Sequence, residues 1–129
     1  MGCDIHGMVE IKAYDDWEYW QGIINLEFLG RYYYLFGLLG CDRGDENLYP
    51  SRGIPENISE FTKLILDEDE ATYPPHSHTW ITYDEFKEII KRLGDTNFGK
   101  DWFVLYKMLN VLYVAYGDEN VRLIIWFDN

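Results

Sequence analysis

Residues 4–13 alternate with a period of two, and that alternation limits what the chain can become. Ile5, Gly7, Val9, Ile11 and Ala13 fall on one side of an extended strand, and Asp4, His6, Met8, Glu10 and Lys12 fall on the other. An apolar side seats a strand on a core. The opposite side then sets a carboxylate, an imidazole and a second carboxylate along the strand in steps of about 7 Å. The stretch therefore reads as a functional strand.

Downstream, Trp17-Glu18-Tyr19-Trp20 is expected to pair with it as a hairpin, with Asp15 and Asp16 in the turn. Tyr32, Leu35, Phe36 and Leu39 recur at helical spacing before Gly40, a C-terminal cap. Residues 41–57 carry Gly and Pro punctuation and read as an irregular loop. Ile58–Leu66 fits a helix turn or a short strand, and the acidic run Asp67-Glu68-Asp69-Glu70 reads as a solvated surface loop. Proline holds residues 72–80 extended.

Thr82 with Glu85 forms a capping box ahead of the apolar stripe Phe86, Ile89, Ile90, Leu93, and Gly94 ends that helix. A second helix spans about Lys100 to Tyr116, with Trp102, Leu105, Leu109, Leu112 and Tyr116 on its buried face and Gly117 as its stop. Val121–Phe127 is rich in branched and aromatic residues and reads as a final strand. The expected fold is a single α+β domain over residues 1–129. A small antiparallel sheet includes both terminal strands and packs against the two C-terminal helices.

Composition narrows function. A formal net charge of −12 argues against direct nucleic-acid binding, since phosphate is repelled over most of the surface. Aromatic content of 18% exceeds what a core of this size absorbs, which points to an interface or to a site that stacks planar ligands. Homo-oligomer packing is one reading of those rings. Cys3 and Cys41 follow no metal or redox spacing and are expected as reduced thiols in a cytoplasmic protein. No apolar run approaches the ~20 residues of a membrane span, so no membrane partner is expected.

The chemistry-bearing residues are few. His6 lies on the polar side of the first strand, and His76 and His78, one residue apart, point the same way in an extended segment. Asp4, His6, Glu10 and His76, with His78 beside them, have the N/O character of a divalent-metal site for Zn, Mn or Ni. Asp4, His6, His76 and His78 equally supply acid–base groups for attack on a phosphodiester. Arg31, Arg43 and Arg52 sit at expected turns, where guanidinium groups suit phosphate capture. Tyr34 and Trp80 offer faces for stacking a base, and Ser77 offers a hydroxyl to a ligand. Each has a plainer reading as a core ring, a loop-bonding arginine or a surface histidine.

Four blocks carry a resemblance. Met-Gly-Cys-Asp-Ile-His at residues 1–6 with Glu10, Arg-Tyr-Tyr-Tyr-Leu-Phe at 31–36, Arg-Gly-Ile-Pro at 52–55 with Ser59, and His-Ser-His-Thr-Trp-Ile at 76–81 occur in this order. The pattern resembles a set of small proteins encoded by tailed phages and prophages, and it covers residues 1 to about 93. Thr79 stands where serine is expected, which keeps the hydroxyl. The resemblance implies a phage-encoded protein of the host cytoplasm, with Asp4, His6, Glu10, Arg31, Arg52, His76, Ser77 and Trp80 in one site.

The leading expectation is a protein that binds, and in one version cleaves, a small nucleotide or phosphodiester ligand to counter host defence. The alternative is a non-enzymatic acidic protein that imitates nucleic acid and blocks a host defence protein such as a CRISPR-type nuclease.

Overall fold

The two ends of the chain pair with each other. In the computed structural model, which describes residues 2–44, 46–94 and 98–129, strand β1 (Asp4–Ile11) runs antiparallel to β4 (Val121–Asp128) over its full length. Met1 of the opening block and Asp45 of the expected loop lie outside the described residues. Strand β2 (Gln21–Asn25) pairs with the other edge of β1, and β3 (His76–Thr82) with the other edge of β4. The sheet is four-stranded in the order β2-β1-β4-β3, with every pairing antiparallel. The expected α+β fold with both terminal strands in its sheet is what the chain forms.

Four helices complete it: α1 (Tyr33–Leu38), α2 (Glu60–Thr72), α3 (Tyr83–Leu93) and α4 (Gly99–Tyr116). One sheet face presents Ile5, Val9, Ile11, Leu123, Ile125 and Phe127 to Phe36, Phe86, Trp102 and Leu105 of α1, α3 and α4. The other face presents Ile124 and Trp126 to Leu66 and Ile65 of α2. Because both faces are covered, all eight residues of β4 are buried, which suits an almost unbroken apolar run better than alternation. Among the described residues, no helix is long and apolar enough to cross a membrane.

Local signals account for the helices that were expected. The Thr82–Glu85 capping box starts α3, and Gly94 follows its last turn in a left-handed conformation. Trp102, Leu105 and Leu109 are buried along α4, but Tyr116 is 36% exposed because the last turn runs past the core.

Two expectations are corrected. The acidic run is not a loop: α2, capped by Ser59, continues through Asp67, Glu68, Asp69 and Glu70 to Thr72. Leu66 and Asp69 turn inward while Asp67, Glu68 and Glu70 face water, so packing of the inner side carries the helix through the charged stretch. The aromatic run is not the hairpin partner, since β2 begins after it. Trp20 leaves the ladder to lie over Arg122, 3.9 Å from ring centroid to guanidinium carbon, and Trp17 stacks on Tyr19.

The polar side of β1 is largely covered by α2, with only Asp4 at its start about half exposed. Glu10 is 0% exposed and stands opposite Arg122 of β4, itself 7% exposed. Arg122 Nε donates to Glu10 Oε1 at 2.9 Å, and the Ser59 backbone N–H donates to Oε2 at 2.7 Å. The Thr62 hydroxyl adds a further donor to Oε2, and Arg122 Nη1 donates to Asn57 Oδ1 at 3.2 Å. Burial of Arg122 lowers its pKa, with Glu10 opposing. The carboxylate also sits at the N-terminus of α2, the favourable end of the helix dipole. At Gly7, with φ +150°, a Cβ would overlap the Ile124 carbonyl oxygen, so β1 and β4 approach as closely as backbone allows.

Removing one partner of a buried ion pair strands the other charge, at about 3–5 kcal/mol. Glu10→Gln is expected to lower the stability measured by urea unfolding by that order. The paired replacement Glu10→Met with Arg122→Met is expected to recover most of the loss. A Glu10→Gln midpoint equal to wild type would show that the pair does not anchor the fold.

Candidate functional site

The polar residues of the sequence divide between the two faces of the sheet. On the α2 face, His6 stands opposite Trp126 in the β1–β4 register. Its Nε2 meets the Asp128 carboxylate, and its Nδ1 lies 3.6 Å from Asp69 Oδ2. Asp69 is held in turn by Trp126 Nε1, which donates at 2.8 Å, and by the Tyr73 hydroxyl, which donates at 3.3 Å. The Tyr73 ring stacks on the imidazole at 5.4 Å. His6 is thus clasped between two carboxylates from α2 and β4, and the side chains of all three are mostly buried. Asp69 and Asp128 were not singled out from the sequence. The only signal for Asp69 was its i, i+4 spacing to Tyr73, legible once the acidic run is known to be helical.

On the opposite face, His76 stands opposite Phe127, with the rings 6.3 Å apart. The β3–β4 register slips between His76 and Thr79, and Ser77 there has φ +55°. Ser77 is the only non-glycine with positive φ among the described residues, and such a conformation persists only where the surroundings impose it. Here the Ser77 hydroxyl accepts from the Asp42 backbone N–H at 2.9 Å and lies 2.9 Å from His76 Nδ1. The bulge separates the two histidines. His76 faces α1, whereas His78 shares the side of Trp80, toward α2. Burial lowers the pKa of His78, with Glu70 of α2 opposing.

His76 joins a cluster at the C-terminal end of α1. Its Nδ1 is 3.2 Å from Asp42 Oδ1, and its Nε2 is 3.0 Å from Asn129 Oδ1. Ligand-type atoms of Cys41, Asp42 and His76 all lie within 4.8 Å of one another, so these three residues could hold a metal ion. Cys3 adjoins Cys41, and burial together with that neighbour pushes its thiol up to about 12. A cleft of about 340 Å³ opens here, lined by Cys3, Tyr33, Tyr34, Phe36, Cys41, Arg43 and Gly44. The loop lies close against α1 because Gly44 and Gly37 meet backbone to backbone, where a Cβ on either would collide. Tyr33 and Tyr34 are about half exposed, and Arg43 Nη1 donates to Asn129 Oδ1 at 2.6 Å.

The remaining residues singled out from the sequence are engaged elsewhere. Asp4 accepts from Arg31 Nε at 2.8 Å and from Nη2 at 3.3 Å, and the Arg31 hydrogen bonds hold its carboxyl below the ordinary value. Arg52 pairs with Glu85, donates to the Trp80 carbonyl at 3.2 Å, and lies over the Trp80 ring at 4.7 Å and the Tyr49 ring at 5.5 Å. Glu10 is committed to Arg122. Tyr34 donates to Glu46 Oε2 at 3.1 Å on the rim of the cleft. Asp4, His6, Glu10, His76 and His78 therefore do not converge. Of the expected site residues, His76 and Ser77 meet Asp42 and Asn129, Tyr34 lines the cleft, and Cys41 belongs to both groups.

The Arg52–Glu85 clamp has a pH signature. Burial alone raises the Glu85 pKa, but the hydrogen bonds from Arg52 and Thr82 outweigh it and leave the carboxyl below its ordinary 4.5. A depressed carboxyl contributes stability above its unfolded-state pKa and loses it as pH falls through the folded value. Glu85→Gln is expected to cost about 1.5–3 kcal/mol near neutral pH, the scale of charge-assisted hydrogen bonds. The gap to wild type should close as pH drops below 4.5 in unfolding experiments, whereas a constant gap would remove the charge from the account.

No protein-family model matches the chain, and no curated protein or solved structure matches it either.

Proposed function

We propose that Cys41, Asp42 and His76 hold a divalent transition metal beside the tyrosine-lined cleft, and that the cleft takes a small nucleotide or other phosphodiester. The single observation that carries this reading is the meeting of a thiol, a carboxylate and an imidazole within 4.8 Å at the edge of a cleft bordered by Arg43. Three protein ligands with a position left for water or substrate is the pattern of catalytic zinc. The thiol favours Zn or Ni over Mn, which prefers oxygen donors. A metal held there supplies charge to a phosphoryl oxygen and acidifies bound water.

The chain's own groups fit the rest of such a ligand. Arg43 is the loop guanidinium nearest the cleft, whereas Arg31 and Arg52 are already paired with carboxylates. Tyr33 and Tyr34 offer half-exposed rings, and stacking a base on one is worth about 1–3 kcal/mol. The Asn129 amide bridges His76 and Arg43, orienting one metal ligand and one anion contact together. The resemblance to phage proteins supports a host nucleotide signal as the ligand and host-defence counteraction as the role.

Isothermal titration with Zn²⁺ under reducing conditions is expected to give one site per chain. His76→Ala and Cys41→Ser should each weaken it by more than the roughly 10–100-fold that loss of a supporting neighbour costs, while His6→Ala should leave it unchanged. Arg43→Ala is expected to weaken nucleotide binding and leave the metal in place. Absence of stoichiometric metal binding by wild type would defeat the reading.

A second reading rests on α2, which displays Asp67, Glu68 and Glu70 on a rigid exposed side where Lys63 is the only basic residue. Such a face can imitate a run of phosphates and occupy the basic groove of a host nuclease. Replacing these three by their amides is then expected to abolish salt-sensitive nuclease inhibition, with His76→Ala inert. The reverse pattern in an inhibition assay would eliminate the mimic.

A further inference from the structure

Helix α4 turns a second side to solvent, and that side is apolar. Phe103, Val104, Val111 and Val114 are 51%, 46%, 65% and 76% exposed. Val104, Lys107, Val111 and Val114 follow the 3-4-3 spacing of a helix-pairing seam. Beside the first turns lies a shallow groove of about 510 Å³ lined by Phe98, Gly99, Lys100, Phe103 and Val104. Val111 and Val114 project at one end of the helix and the groove with Phe103 and Val104 lies at the other, so the surface complements an inverted copy of itself.

Charge selects the same partner. In a chain of net charge −12, the exposed side of α4 carries Lys100 and Lys107 and no carboxylate. Asp101, at the edge of that side, accepts the Gly30 N–H at 2.5 Å, and Lys107 lies 5.4 Å over the Phe103 ring. This is the side on which two copies of so acidic a protein repel least. Lys100 has no ion-pair partner among the described residues, and Asp118, exposed just beyond the other end of α4, stands next to Asp84 and shares with it the single charge of Lys87.

We infer that the chain forms a two-fold symmetric dimer through antiparallel pairing of α4 with α4 of a second copy. Pairing centred at the level of Leu109 sets Val104 against the partner's Val114 and Phe103 against the partner's Ala115. It also sets Lys100 against the partner's Asp118. Val104 and Val114 are separated by about 15 Å along the helix, so both junctions close at once and the interface is isologous. The contact does not involve Cys41, Asp42 or His76, so it stands or falls independently of the metal site.

Sedimentation velocity over a concentration series tests this. Wild type is expected to reach twice the 15.4 kDa chain mass. Val104→Glu with Val114→Glu is expected to sediment as a monomer that keeps the wild-type circular-dichroism spectrum, since both side chains are exposed and face each other across the two-fold. Lys100→Glu and Asp118→Lys should each weaken the dimer, and the two combined should restore it. A wild-type chain that stays monomeric throughout the series overturns the proposal. A Val104→Glu/Val114→Glu chain that stays dimeric overturns it as well, and failure of the charge-swapped pair to recover overturns the antiparallel register.

Discussion

The buried pair between Glu10 and Arg122 is the constraint on which the rest of the structure depends. It joins the two central strands, and through the Ser59 N–H and the Thr62 hydroxyl it fastens the first turn of α2 to the sheet. Desolvating both charges is costly, and the cost is offset because each nitrogen and oxygen of the pair finds a partner and the guanidinium lies against Trp20. Such a pair contributes more to placing elements than to net stability. With α2 seated there, Leu66 reaches Trp126 and Ile124, and Asp69 reaches Trp126 and His6.

Seating α2 on that face gives the two histidine clusters different characters. His6 is sealed beneath α2 and answered by Asp69 and Asp128, so its environment resembles a structural clasp joining three elements. His76 lies on the other face, partly exposed, where the loop after α1 borders a cleft. Its neighbours are groups that bind ligands as readily as they bind each other: a thiol, a carboxylate, a serine held at positive φ, and a terminal amide. Conformational strain and unequal solvent access both concentrate there, which is why the functional proposal attaches to His76.

Much of the fold was legible because its signals are local. The period-two stretch at residues 4–13, the branched and aromatic run at 121–127, the Thr82–Glu85 box and the apolar stripe of α4 each name an element without reference to any other. The acidic run misled because its charge alone was read as a solvated loop, whereas Leu66 and Asp69 on the inward side of α2 pack on a sheet that only the tertiary structure supplies. Trp17–Trp20 misled for a related reason. Its rings suit a strand, but Trp20 is drawn off by Arg122, a residue far along the chain.

By itself, then, the sequence determined most of the elements, the place of both terminal strands in the sheet, and the chemical types available to a site. Tertiary structure alone decided which of those types meet. Alternation assigns a side chain to a side of a strand but names no partner, and the imidazole of His6 found Asp128 across 122 positions. A single bulge at Ser77 put His76 and His78 on opposite faces, and a positive φ at a non-glycine residue leaves no mark in sequence. Cys41, Asp42 and His76 come together because the loop after α1 folds back against the edge strand, a closure set by backbone contact and packing at long range.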